Sequence, residues 1–525
     1  MNHPVKTIWL VTREYAGIAE AGGVKNVACS LAEGLVRQEK SVSVFIPNYG
    51  CVLLESAFKY ACTVVVSSMA YPVRYFSARL NGVEIILVDS PLYTEKHDVY
   101  LYTEQESLII PGARRGKGHL DVDVMNMVFQ KAVLQYALIT ESVPDVLHCQ
   151  DAHTALLPAL IRTNPHLDIF FRDTTIAVTI HNAGPGYRQV ISGCDAAVSL
   201  TGLDESVVSK GLFNGNVEPF LLASEYSILT TVSPWYAQEL TNSKFNEFSE
   251  GLSGEFERRG VKITGITNGI DYLKYNAEDV TCSLLPYAFN PSVGELEGKY
   301  LCRKAFLEEI SNLNDDSGLT CFGSIVDSPH SVYYSYHGRI AWQKGLNVLE
   351  KSAKIVLDTL PEARFILLGQ GDPFLEGILV SLSADYPGRF VYIRGYERSL
   401  ARMAVAVSDF LVLPSLFEPC GLEDLIGQVY GTIPVAHAVG GLQKIIHGES
   451  GFLYSGNGSG NDSDLLSRLL LDIAAPIVAS ESIGCSGVPG YLGMIQYSSA
   501  IHVAHTYNWD SIIRHHYLPL YEKTL

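Results

Sequence analysis

Short apolar runs rich in β-branched residues recur along this chain, separated by stretches of helical pattern. The runs at residues 8–11, 42–46, 85–88, 146–148, 176–180 and 229–232 read as strands, and several of them end in Gly, Pro, Asn or His. Helical segments at 27–38 and 125–141 lie between them. Strand and helix in alternation predict parallel sheets covered by helices on both faces. The same pattern restarts in the second half, with strands expected at 332–336, 364–368, 390–393, 410–413 and 433–435. The restart predicts two similar α/β domains joined near residues 241–260, and 455–464 reads as a Gly/Asn/Ser/Asp-rich surface loop.

Length and composition fit that picture. A chain of 525 residues is long for one core, and 47% hydrophobic with 18% charged residues is the balance of a packed globular enzyme. The net charge of −18 argues against nucleic acid or an anionic membrane surface as partner, so an anionic substrate needs a local cluster of cations. The 10 cysteines form no CxxC pair, which signals neither a disulfide framework nor a zinc site. The first apolar run leads straight into Arg13 and Glu14, unlike a signal peptide, and no run approaches the ~20 apolar residues of a membrane span. A cytoplasmic protein is expected.

In open parallel sheets ligands bind beyond the carboxyl ends of the strands, so chemistry is sought just after each run. After the first run comes Glu20-Ala21-Gly22-Gly23-Val24, where paired glycines let backbone approach a ligand or make a tight turn. After the run at 146–148 comes His148-Cys149-Gln150-Asp151-Ala152-His153. The spacing of its two histidines fits no helical metal pair, so no metal is expected, and Asp151 is the candidate for orienting hydroxyl groups. His181, followed by Asn182, Ala183 and Gly184, also ends a strand, and is read as functional or structural with equal weight.

In the second half, His337-Gly338-Arg339-Ile340-Ala341-Trp342-Gln343-Lys344-Gly345 sets two cations five residues apart beside glycine. Arg brings a planar fork and Lys a point charge, a workable clamp for a diphosphate. Pro414-Ser415-Leu416-Phe417-Glu418-Pro419-Cys420-Gly421-Leu422 follows another strand. Its Glu418 is placed to accept sugar hydroxyls or to stabilise positive charge developing at an anomeric carbon. Gly440-Gly441-Leu442 opens a further helix.

Taken in order, these segments resemble the glycogen/starch synthase family, with smaller matches at Thr231-Val232-Ser233-Pro234, Thr267-Asn268-Gly269-Ile270-Asp271 and Gly298-Lys299. The resemblance covers nearly the whole chain and is most specific at Phe417 to Leu422. It implies a GT-B fold, two Rossmann-like domains facing across a cleft. The acceptor-side domain is expected at 1–245 with a final helix at 505–525, and the donor-side domain at 246–504. The implied reaction moves glucose from ADP-glucose to the non-reducing 4-hydroxyl of an α-1,4-glucan, with retention. By resemblance Arg339 and Lys344 neutralise the departing diphosphate, Glu418 and Cys420-Gly421-Leu422 hold the glucosyl unit, and Tyr396 stacks on the base. His181 brings its carbonyl and ring to the sugar, and Asp151 supports the sugar or acceptor side. Glu20, Gly22, Gly23 and Glu423 fall at donor-facing positions. No cofactor or metal is implied; the partners are a nucleotide-sugar and an α-glucan, and the oligomeric state is open.

Four positions depart from the family. Glu20 stands where a lysine meets the donor, Asn26 where an aspartate is usual, Glu423 where a threonine faces the phosphates, and Phe220 where a lysine is expected. A carboxylate ~4 Å from a phosphate charge is repelled by ~4 kcal/mol at an effective dielectric of ~20. Donor affinity is therefore expected to suffer unless both carboxylates turn away or find cations. Lys25 is the local substitute, although helix geometry places it on a different face from Glu20. Two alternatives to an active synthase stay open: a weakened synthase-like protein that binds glucan, and a related transferase with another donor or acceptor, such as an enzyme forming α-glucan 1-phosphate.

Overall fold

The computed structural model describes residues 4–313, 318–328, 330–456, 460–479 and 490–522, so part of the loop expected at 455–464 lies outside the described residues. The chain forms two compact units. The first runs to Asn268 and resumes at Trp509; the second spans Gly269–Asn508.

The first unit contains β1 (Thr7–Val11), β2 (Ser41–Pro47), β3 (Ala57–Val66), β4 (Met69–Leu80), β5 (Val83–Asp89), β6 (Val146–Gln150) and β7 (Thr175–Ile180). A small hairpin of β8 (Leu212–Phe213) and β9 (Asn216–Val217) follows, then β10 (Ile228–Thr231) and β11 (Ile263–Gly265). Its main sheet has the order β11-β10-β7-β6-β1-β2-β5-β4-β3, parallel throughout except for β4 and β3, which add antiparallel at one edge. The second unit holds β12 (Thr320–Ile325), β13 (Val332–His337), β14 (Ala363–Gly369), β15 (Arg389–Arg394), β16 (Phe410–Leu413), β17 (Ile433–His437) and β18 (Phe452–Tyr454). These pair as β12-β15-β14-β13-β16-β17-β18, with only β12 antiparallel.

Alternation along β13 shows how the sequence builds two cores at once. Val332, Tyr334 and Tyr336 pack into the core that holds Leu349 and Val356 of helix Leu346–Thr359. Tyr333 packs into the other, with Leu425 and Val429. Both faces are covered, so the strand is almost wholly apolar or aromatic. Each such side chain fully withdrawn from water contributes roughly 1.5–3 kcal/mol.

The division falls at Asn268/Gly269 and Asn508/Trp509, not at the expected 245/246 and 504/505. The cause is β11, which pairs with β10 from Leu229↔Ile263 to Thr231↔Gly265 and completes the first sheet beyond residue 245. At the other end, helix Gly490–Thr506 stays with the second unit, and Ile270 N–H donates to the carbonyl of Tyr507. The segment from Trp509 belongs to the first unit. Asp510 pairs with Arg37 at 2.9 Å, and Ile513 fills the space beside Gly34, where an added Cβ would sit 2.3 Å from its methyl. No helix among the described residues is long and apolar enough to cross a membrane.

Within each parallel sheet the connections reverse direction once. They do so between β1 and β6 in the first unit and between β13 and β16 in the second. Ligands in such sheets bind at the carboxyl ends of these strands.

Candidate active site

In the second unit, the segments leaving β13 and β16 come together at the reversal. Gly345 makes this possible: its φ is +68°, and an added Cβ would lie 2.0 Å from the carbonyl oxygen of Pro414. Leu416 N–H donates to the carbonyl of Gln343 at 2.9 Å, locking one loop to the other. Lys344 then donates to Glu418 Oε2 at 2.5 Å, and Ser415 Oγ donates to the same oxygen at 3.1 Å. The Lys344 and Glu418 side chains are 24% and 18% exposed, so the pair faces partly outward and contributes at most about 1 kcal/mol to stability. Its use is positional. Arg339 is exposed on the same loop, and its carbonyl accepts from Tyr336 Oη at 2.7 Å.

Glu423 opens helix Glu423–Val429 directly after Leu422, and its Oε2 lies 3.1 Å from His337 Nδ1. Burial alone pushes the His337 imidazole down, but the Glu423 carboxylate outweighs it and the pKa rises above the usual histidine value. Burial pushes Glu423 up; the His337 and Lys344 cations more than reverse this and hold it below the usual carboxylate value. Tyr396, 62% exposed, lies nearly parallel to the His337 ring, 26° between planes and 6.1 Å between centroids. Cys420 and Gly421 are buried and Leu422 half-buried, with Gly421 in the left-handed region at φ +72°.

In the first unit, the strand ends at the reversal carry Thr12-Arg13-Glu14 and Asp151. Asp151 has a φ of +65° and accepts from the backbone N–H of His181 at 3.3 Å. Burial raises its carboxyl, and the nearby Glu14 adds to this, to a pKa of about 8. Burial lowers His181 to about 4, so near neutral pH the ring is uncharged. Its Nε2 lies 2.8 Å from Gln150 Oε1, which makes Nε2 the protonated nitrogen.

The glycine turn rests on Glu14. This carboxylate is buried, accepts from Gly22 N–H at 2.5 Å and from Ala21 N–H at 3.3 Å, and receives Tyr100 Oη at 2.5 Å. Gly22 sits over it, and a Cβ there would stand 3.2 Å from Glu14 Oε1, while one on Gly23 would meet open space. Arg13 points inward and donates to Tyr49 Oη (2.7 Å), Asn126 Oδ1 (3.1 Å) and the Val99 carbonyl (2.5 Å). Glu14, Arg13 and Tyr100 are thus parts of the first unit's site that the motif reading passed over. The rule that chemistry follows strand ends marks Glu14 and Arg13; nothing in the sequence marks Tyr100.

The departing residues have clear fates. Tyr15 and Ala19 pair across a tight turn before helix Val24–Arg37 begins. Glu20 therefore lies outside the helix and reaches Lys25 Nζ at 2.8 Å, also accepting from Gly17 N–H at 2.6 Å. The expectation that helix geometry separates Glu20 from Lys25 is corrected on that ground. Both unexpected carboxylates have found partners, the Lys25 ammonium for Glu20 and the His337 imidazole for Glu423. Asn26 is exposed, and Phe220 is fully buried, so a lysine at 220 would have to be buried too.

His148 is structural. It is fully buried, hydrogen-bonded to Thr179 Oγ1 at 2.6 Å and Tyr521 Oη at 2.8 Å, and burial lowers its pKa to about 3. His153 stacks on Tyr100 at 5.2 Å. Among the described residues no group of three or more His, Cys, Asp or Glu side chains could hold a metal ion.

Residues 7–257 match the family model described as starch synthase catalytic domain, and residues 332–472 match that of glycosyl transferases group 1. A glycogen synthase of Exiguobacterium sibiricum is 30% identical over 462 residues, covering 86% of this chain and 87% of that protein. A glycogen synthase of Vibrio parahaemolyticus is 28% identical over 457 residues, 84% of each chain. Among solved structures, the catalytic domain of starch synthase IV from Arabidopsis thaliana, bound to ADP and acarbose, superposes with a TM-score of 0.76. It does so at 20% identity, over 99% of both chains, a likeness of GT-B fold.

Proposed function

Since this chain belongs to the glycogen/starch synthase family and is a glycosyltransferase, we propose that it moves glucose from ADP-glucose to the non-reducing 4-hydroxyl of an α-1,4-glucan, with retention. The observation that carries the reading is the pairing of Lys344 with Glu418 at the reversal of the second sheet, with Arg339 exposed on the same loop. The ligands of the plant relative, ADP and acarbose, suit the same pair of substrates.

In the transfer, the bond between the anomeric carbon and the β-phosphate oxygen breaks, and a bond from that carbon to the acceptor 4-oxygen forms. The acceptor proton passes to the departing phosphate. Arg339 and Lys344 take up the charge that develops on the diphosphate, the work a divalent cation does elsewhere, so the reaction needs no metal or cofactor. Glu418, fixed by Lys344 and Ser415, accepts glucosyl hydroxyls; Cys420, Gly421 and Leu422 hold the same sugar, and Tyr396 stacks on the base. His181, uncharged near neutral pH, presents its backbone carbonyl and the unprotonated Nδ1 of its ring, so it does not repel the positive charge that grows at the anomeric carbon. Asp151 holds its proton and can both donate to and accept from hydroxyl groups.

The reading of a weakened protein rests on Glu20, Asn26, Glu423 and Phe220; Glu20 pairs with Lys25 and Glu423 lies against His337, which lessens the repulsion expected of the two carboxylates. The deciding assay is incorporation of labelled glucose into glycogen from ADP-glucose and from UDP-glucose. Incorporation from ADP-glucose is expected. Folded protein that transfers from neither donor overturns the reading, transfer from UDP-glucose alone corrects the donor, and product on a sugar 1-phosphate instead of glucan corrects the acceptor.

A further inference from the structure

Beneath the Glu418 loop lies an ammonium that the proposed reaction does not use. β16 and β17 run side by side, Leu413 opposite Ala436, and each releases a glycine-containing loop at its carboxyl end. Lys444, at the end of the short helical turn Gly440–Lys444, is 4% exposed. Its Nζ lies 2.9 Å from the carbonyl oxygens of Cys420 and Gly421, 3.0 Å from that of Gly441 and 2.9 Å from Asp424 Oδ1.

Three N–H groups serving four acceptors suit only the charged amine. A neutral amine, with two, would leave buried carbonyls unsatisfied. Asp424 supplies the counter-charge, with side-chain exposures of 1% for Lys444 and 0% for Asp424. A buried ion pair of this kind adds little net stability compared with apolar residues in its place. What it does do here is fix the direction of three backbone carbonyls from two loops.

The loops also meet backbone to backbone, beside the Leu442 side chain that packs at Gly421. Gly441 N–H donates to the Glu418 carbonyl at 2.8 Å, and a Cβ on Gly441 would sit 1.9 Å from the Cys420 oxygen. No side chain fits between Gly441 and Cys420, so the ammonium and the Gly441 N–H are the polar ties at that point of the seam. We propose that Lys444 is a positioning residue for the donor: by binding the carbonyls of Cys420, Gly421 and Gly441 it sets the place of Glu418 and the Cys420–Leu422 backbone. This rests on the donor site assigned above.

The test is Lys444→Met in the full chain, with donor and acceptor kinetics and amide exchange of Gly441 measured alongside wild type. The expected result is a donor KM raised about tenfold or more with glucan KM unchanged, together with faster exchange at Gly441. A merely structural role would lower the active fraction, and so kcat, and leave donor KM where it was. Should the single variant not fold, Lys444→Met with Asp424→Leu removes both charges and is expected to give the same shift in KM. A donor KM within about twofold of wild type in a folded variant overturns the assignment. Wild type that transfers from no donor overturns the donor reading instead, and Gly441 exchange then decides the tie by itself: faster in the variant supports it, unchanged overturns it.

Discussion

At the point where strand order reverses, the first unit presents Asp151, pushed by burial to a pKa of about 8, and His181, pushed to about 4, while its Arg13 is directed inward to Tyr49, Asn126 and Val99. The second unit, at its own reversal, presents Lys344 with Glu418, His337 with Glu423, and an exposed Arg339. Strand topology is shared; the charge is not. One arrangement suits polar contact with an uncharged sugar, the other suits a ligand carrying phosphate. A doubly wound sheet delivers strand ends to a common place, and the residues on the following turns decide what is bound there.

The strongest way to break this contrast is to discharge the second unit. Lys344→Ala removes the donor that holds Glu418 and one of the two cations proposed to take up charge on the leaving diphosphate. Loss of one preorganised charge at a developing charge costs about 10²–10³ in rate. A fall of that size in kcat/KM is expected, with Tm changed by no more than a few degrees because the pair is partly exposed. Unchanged kcat/KM in the glucose-transfer assay would move the diphosphate away from this loop.

Much of this contrast was legible in the sequence. The strand runs at 8–11, 146–148, 332–336 and 410–413 became β1, β6, β13 and β16, which flank both reversals. Residues after a strand end can be read because strand periodicity places them. Pairings across distance could not. His337 and Glu423 stand 86 positions apart, and Lys444 and Asp424 come together only because two loops meet in backbone contact at Gly441. The Glu20–Lys25 contact is local but depends on a turn at Tyr15–Ala19 that no repeated pattern announces. The long antiparallel strands β3 and β4 were missed because their outward faces carry exposed Phe58, Val65 and Met69, which blurs the alternation that marks a half-buried strand.

An intermediate effect is expected from Asp151→Asn, which tests the uncharged character of the first unit. Asparagine copies the protonated carboxyl and keeps an oxygen for the His181 N–H. Near pH 7 activity should stay within about tenfold of wild type. Wild type should lose activity as Asp151 ionises above a pKa of about 8, and the variant should lack that alkaline limb. Stability follows the same proton. The folded pKa lies above the ordinary 3.8, so the folded state keeps a proton that the unfolded chain releases. Wild type therefore loses this contribution as pH rises from about 4 to about 8, and the variant does not. A higher Tm for the variant at pH 8 than for wild type is the expected reading; an unchanged alkaline limb would mean that Asp151 is already ionised in the working protein.

The smallest effect sharpens the contrast from the other side, by giving the glycine turn a cation. Glu20 and Lys25 are 39% and 24% exposed, so their attraction is screened by water. A unit charge ~4 Å from another in water is worth ~1 kcal/mol, about fivefold in affinity. Glu20→Ala releases Lys25 alone and should lower donor KM about twofold. Glu20→Lys releases Lys25 and adds a second cation, and should lower donor KM about fivefold at low salt, fading as ionic strength rises past 0.1 M. Both substitutions also remove the acceptor for Gly17 N–H, so a slight loss of Tm is expected and does not bear on the donor. A donor KM for Glu20→Lys that does not change at low salt would show that the glycine turn meets no phosphate, leaving the second unit to supply all the positive charge the donor feels.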